Sequence, residues 1–173
     1  MKKREISVSS EIEEKIAWAR DFFREHGQRL KRQGPVRELI SRLEKAISAS
    51  SHEMERIGIA DICARCERDE GGSCCGAGIE DRYDAWSLVI NLMLGAELPE
   101  KRWEPASCFF LGRRGCLLKA RHVICINYLC DRITSRISPQ RLEHLRDLEG
   151  EEILLHFRLH ELLMKTGRDK MRE

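Results

Sequence analysis

All eight cysteines of this 173-residue chain fall between residues 63 and 130, and none lies outside that span. A free cysteine is often a small buried hydrophobe, but packing alone does not concentrate eight of them in one segment. They form two groups. The first is Cys63-x2-Cys66-x7-Cys74-Cys75 and the second is Cys108-x7-Cys116-x8-Cys125-x4-Cys130. A Cys-x2-Cys turn places two sulfurs on one metal or cluster, because the intervening loop can aim its amides at the sulfur charge. Neighbouring side chains usually diverge, so of Cys74 and Cys75 one can ligate while the other packs or serves a second metal. The second group fits no single zinc-finger spacing, and which four cysteines share a centre is not readable. An all-sulfur donor set suits an iron–sulfur cluster, the four-iron type favoured, with zinc as the alternative.

Whether such cysteines hold metal or pair as disulfides depends on the compartment. The N-terminal Met1-Lys2-Lys3-Arg4 carries charge with no apolar run behind it, so no export signal is expected. The longest apolar-rich stretch, Trp86 to Leu94, is far shorter than the roughly 20 residues of a membrane span. The expectation is a soluble, cytoplasmic protein with no membrane partner, where metal or redox chemistry outranks a disulfide framework. A net charge of only +2 gives no global field for nucleic acid, which is not expected as a partner. With 35% charged and 6% aromatic residues, the composition favours helices over a β-sandwich.

The expected fold is therefore mainly α, with helical flanks around an irregular, metal-organised centre. Residues 1–52 read as an N-terminal helical pair. Ser9 or Ser10 caps the first helix, Ile12, Ile16, Ala19 and Phe23 form its stripe, and Gly27 ends it. Gly34-Pro35 opens the second, with Val36, Leu39, Ile40, Leu43 and Ile47 buried, and Ser48 to Ser51 acts as a hinge. Residues 53–136 form the cysteine-cluster region. Within it Asp81 to Leu94 reads as a helix stopped by Gly95, and Gly71-Gly72, Gly76, Gly78, Gly112 and Gly115 mark tight turns near the ligands. Residues 137–173 read as C-terminal helices packing on this region, starting at Ser138-Pro139, interrupted at Gly150, and fading into the charged tail Arg168 to Glu173.

Other side chains are weaker candidates. Arg113, Arg114, Lys119, Arg121, Arg132, Arg136 and Arg141 crowd the second cysteine group against the single acid Asp131. They either offset thiolate charge or hold a carboxylate or phosphate ligand. Glu152, His156 and His160 share a helix face with metal-ligand spacing, although an ordinary solvated face has the same spacing. His122, between Cys116 and Cys125, suits a hydrogen bond in support of a thiolate better than direct ligation. No phosphate loop, Ser-His-Asp arrangement or paired-carboxylate motif stands out, so catalytic residues are not identified and enzymatic activity stays open.

The cysteine pattern resembles the YkgJ-like cysteine-cluster family, described as zinc- or iron-chelating and related to flagellin lysine N-methylases. The resemblance runs over residues 60 to 131. It is carried by Cys63-Ala64-Arg65-Cys66, Cys74-Cys75, Cys108-Phe109-Phe110-Leu111-Gly112, Gly115-Cys116-Leu117-Leu118, Arg121-His122 and Cys125-Ile126-Asn127-Tyr128-Leu129-Cys130. Seven residues precede the double cysteine where the family has two, and His122 and Leu129 stand where it has prolines. The resemblance implies an iron–sulfur protein with a redox or methyl-transfer role acting on a protein partner or substrate. The alternative is a structural zinc module that mediates protein–protein interaction.

Overall fold

The computed structural model describes residues 6–70 and 74–170, with the side chains of 67–70 and 168–170 left aside. Gly71-Gly72, Met1 to Glu5 and the side chains of the tail Arg168 to Glu173 lie outside what is described. Eight α-helical segments dominate the described residues: α1 (Ile12–Phe22), α2 (Gln28–Lys31), α3 (Gly34–Arg56), α4 (Ile59–Glu70), α5 (Ala85–Met93), α6 (Val123–Asn127), α7 (Asp131–Thr134) and α8 (Pro139–Lys170). A two-stranded antiparallel hairpin, β1 (Leu111–Gly112) and β2 (Gly115–Cys116), pairs Leu111 with Cys116. The chain is thus mainly helical. Among the described residues no helix is long and apolar enough to cross a membrane.

The expected helices are present with shifted ends. The first does not stop at Gly27; a π-helical turn, Phe23–Gly27, carries it on into α2. Phe22, the last residue of α1, is buried, and Phe23 is only half-buried. The cap also differs. Glu11 occupies the N-cap without a side-chain bond, while Ser7 and Ser10 close a turn of their own. Ser48 to Ser51 is no hinge, since α3 runs through it and buried Ser50 donates to Glu152 Oε2 at 2.5 Å. Gly150 does not interrupt α8, because it lies on an exposed face where helix geometry asks nothing of a side chain. The run from Asp81 is a 3₁₀ turn, Glu80–Arg82, and the α-helix starts only at Ala85, where Asp84 caps it by accepting from the Ser87 amide at 2.7 Å. Gly95, at φ +79°, ends α5 as expected.

Two apolar cores result. The larger joins α1, α3, α5 and α8 with Phe109, Phe110, Leu111 and Leu118 from the cysteine region. Nearly every residue of α5 is buried, so it is the central helix, with α1 and α8 packed against it and α3 packed on α8. The smaller core holds Ile57, Ile59, Ile62, Ile133, Ile137 and Leu145, and it fixes α4 and α7. Cationic side chains tie the helix ends together. Lys31 donates to the Met93 carbonyl and Lys119 to the Leu94 carbonyl, where α5 leaves backbone acceptors unpaired.

Candidate metal centre

The two cysteine groups meet on one cavity of about 700 Å³. All eight, Cys63, Cys66, Cys74, Cys75, Cys108, Cys116, Cys125 and Cys130, line it, and all are free thiols. Different elements supply them: α4 gives Cys63 and Cys66, β2 gives Cys116, α6 gives Cys125, and Cys130 caps α7. The rest of the wall is mostly apolar, including Met54, Ile59, Ile62, Tyr83, Phe110 and Ile133, with Arg121 and Arg132 as its cations. The sulfurs share the wall without converging. Among the described residues no three His, Cys, Asp or Glu side chains form a group close enough to hold a metal ion.

Local interactions explain how distant segments reach one cavity. The Cys74-Cys75 loop is stitched to the Cys108 loop by the backbone. The Cys108 amide donates to the Cys75 carbonyl at 2.6 Å, the Ala77 amide donates to Ala106 at 3.0 Å, and Gly76 bridges Ser107. Buried Glu80 holds this seam, accepting from the Gly78 amide at 2.9 Å and from Arg102, which also reaches the Ser107 carbonyl and lies over the Phe109 ring. Across the cavity Asn91 does the same for residues 119–121. Its side chain is fully buried, donating to the Ser87 and Ala120 carbonyls and accepting from the Lys119 and Ala120 amides. Next to it Tyr83 Oη accepts the His122 amide at 2.7 Å and points at Cys125 Sγ, 4.0 Å away. Glu80, Asn91 and Tyr83 were not singled out in the sequence. Only a polar residue inside the apolar run Trp86 to Leu94 hinted at Asn91.

The electrostatics of the wall are those of thiols short of positive charge. Burial pushes the Cys108 thiol up to about 12 and the Cys116 thiol up to about 11. Cys116 is open to the cavity yet surrounded by protein, which is why it behaves as a buried group. Cys63 and Cys125 are raised by burial too, Cys63 further by Cys130, Cys66 and Cys75. Cys74 is raised first by its hydrogen bond with Cys75. Arg121 works in the opposite direction on Cys63, Cys116 and Cys125. At Cys63, Cys108, Cys116 and Cys125 burial therefore disfavours the thiolate more than the neighbouring groups favour it.

The weaker candidates are placed elsewhere. Glu152 is buried against Ser50, and His160 pairs with Asp84 at 2.6 Å, so these two face different partners. His156 is not a solvated histidine, since its Nε2 is buried with no hydrogen-bond partner among the described residues. His122 Nδ1 accepts the Ile124 amide as the cap of α6, and its ring meets Tyr83 edge-on. The His122 carbonyl accepts the Cys125 amide at 2.8 Å. Arg113, Arg114, Arg136 and Arg141 are exposed. Comparison with protein-family models, with curated proteins and with solved structures finds no match.

Proposed function

We propose that this protein is a metal-binding cysteine-cluster protein whose eight thiols carry iron–sulfur, of the four-iron type, in a redox or methyl-transfer role. The observation that carries the reading is the meeting of both cysteine groups on one cavity, although more than thirty residues separate Cys75 from Cys108 in the chain. The donor set fits in chemistry: it is all sulfur, reduced, and short of positive charge. In geometry the thiols must close in by local movement, as metal sites coupled to folding do.

An iron–sulfur group bound here would supply one-electron transfer. The chain's own residues would do the rest. Tyr83 directs its hydroxyl at Cys125, and Arg132 donates to Cys66 Sγ at 3.4 Å. A cavity of about 700 Å³ lies within the range of small-molecule sites, about 300–1,000 Å³, leaving room for a substrate group beside a metal. The cytoplasm, where thiols stay reduced, suits this chemistry.

One feature favours the second reading, a structural zinc module docking a protein partner. On the cavity wall Ile124 is 47% and Tyr128 57% exposed, apolar surface of the kind a partner covers. Strictly anaerobic purification from iron-replete cells separates the readings. Brown protein with near-equal iron and acid-labile sulfide, bleaching with dithionite, supports the first. Colourless protein with stoichiometric zinc and no sulfide removes it, because Zn²⁺ has no redox change.

A further inference from the structure

The two apolar cores are separate clusters, and the cavity of about 700 Å³ stands between them. Ile59, Ile62 and Ile133 reach its wall from the smaller core, and Tyr83, Phe110 and Leu111 from the larger. All of these are buried, none more than 6% exposed. They come from α4 and α7 on one side, and from β1 and the segments before β1 and α5 on the other, so no single helix face makes the wall. Metal ligation uses the sulfurs of such a site. The aliphatic and aromatic part of the wall suits a different guest, one whose carbon surface it removes from water.

At the opening the wall changes character. Ile124 and Tyr128, one turn apart in the chain, line the cavity yet are 47% and 57% exposed. Arg132, on α7, lines it too and is exposed. Its guanidinium puts a positive charge and a planar fork of donors at that opening, the arrangement that recognises a carboxylate. The sequence of surfaces, apolar within and cationic at the rim, matches a molecule with a carbon body and an acidic end.

We propose that the cavity takes a monocarboxylic acid with an apolar body, the body seated between the two cores and the carboxylate at the opening beside Arg132. Calling this ligand a substrate rests on the metal reading above; the seat itself is made by the two cores. Binding makes and breaks no covalent bond. A body touching Ile59, Ile62 and Ile133 on one side and Tyr83, Phe110 and Leu111 on the other ties the cysteine lobe to the α5 core, so it should stabilise the folded chain.

The test uses the full chain, isolated anaerobically with its metal content measured. It is titrated calorimetrically with hexanoate, octanoate and decanoate below micelle-forming concentrations, and with octanol and octylamine. Binding of the acids should saturate at one per chain and tighten about fourfold per added CH₂. Octanoate should bind more tightly than octylamine and should slow hydrogen exchange at residues 59–62 and 108–111 together. Arg132→Gln should weaken octanoate about tenfold and leave octanol nearly unchanged. If Arg132→Gln does not fold, Ile124→Asp, which sets a like charge at the opening, is read in the same way. Metal-loaded protein that shows no saturable binding of the acids overturns the assignment and leaves the metal reading standing. Octylamine binding as tightly as octanoate, or octanoate affinity unchanged in the folded variant, overturns it too. Protein isolated without metal that still binds octanoate keeps the seat and sinks the metal reading.

Discussion

The α5-centred core and the cysteine lobe are built by different physics. Around α5 the chain buries Leu88, Val89 and Ile90 completely and packs Trp18, Phe22 and Trp86 as edge-on and stacked rings about 5 Å apart. Here burial at roughly 25 cal/mol per Å² of apolar surface is enough to define the structure. Beside the 12-residue α4, the cysteine lobe has a small apolar core, helices of four and five residues, and a hairpin of two-residue strands. Helices that short do not stand by themselves. The lobe is held by backbone stitches, by Glu80, Asn91 and Tyr83, and, on the account proposed here, by metal. If the proposed metal is bound, one region is complete without a ligand and the other is not.

The largest test of this contrast is metal removal. Structural metal sites contribute apparent binding free energy of roughly 10 kcal/mol or more. Chelation should therefore collapse hydrogen-exchange protection in residues 59–66 and 115–134 while α5 and the last half of α8 keep theirs. Equal loss in both regions would show one cooperative unit.

Asn91 joins the two regions, so its replacement ranks next. Asn91→Leu leaves two amides and two carbonyls without their side-chain partner and should cost about 3 kcal/mol or more. Urea unfolding measures this. The metal-bound form should lose affinity as well, because residues 119–121 come loose.

The Asp84–His160 pair, which ties α8 to the start of α5, gives a smaller, pH-dependent effect. Burial opposes both charges, but the hydrogen bond between them prevails, holding Asp84 at about 2 and His160 above its usual value. The histidine's contribution is complete below about pH 6.5 and is lost as pH rises through its raised value; the carboxylate's is complete above about pH 4 and is lost toward pH 2. His156 acts in the other direction. Burial pushes it down to about 4, so it lowers stability as pH falls from about 6.5 toward 4. Asp84→Asn, which keeps a capping oxygen, should cost about 1–2 kcal/mol near pH 6 and less at pH 9. A cost that stays flat across this range would dismiss the ion pair.

The smallest expected effect separates two glycines of α8. A Cβ on Gly150 meets nothing, so Gly150→Ala should stabilise by about 0.5–1 kcal/mol. A Cβ on Gly167 would run into the Trp86 ring, so Gly167→Ala should destabilise. Thermal melting of the pair checks both signs.

The same division decides what could be read from the sequence. Stripes such as Ile12, Ile16 and Ala19, or Val36, Ile40 and Leu43, are visible because helical periodicity and burial coincide. Gly150 misled because a glycine interrupts a helix only where the backbone needs it to. The serines at 48–51 misled because Ser50 satisfies its hydroxyl on Ile47 and Glu152, and the second of these lies far away in the chain. In the lobe, the clustering of the eight cysteines pointed to their sharing a site, and they do share a cavity. Glu80, Asn91 and Tyr83, which position them, act through long-range contacts that leave no local pattern.

The central claim, that both cysteine groups serve one metal site, is tested most directly by residue-resolved alkylation of the native protein, with and without chelator. In anaerobically isolated, metal-containing protein Cys63, Cys66, Cys74, Cys75, Cys108, Cys116, Cys125 and Cys130 should react slowly, and chelation should release both groups together. Full reactivity of all eight in the metal-containing protein, or release of one group while the other stays unchanged, would contradict it.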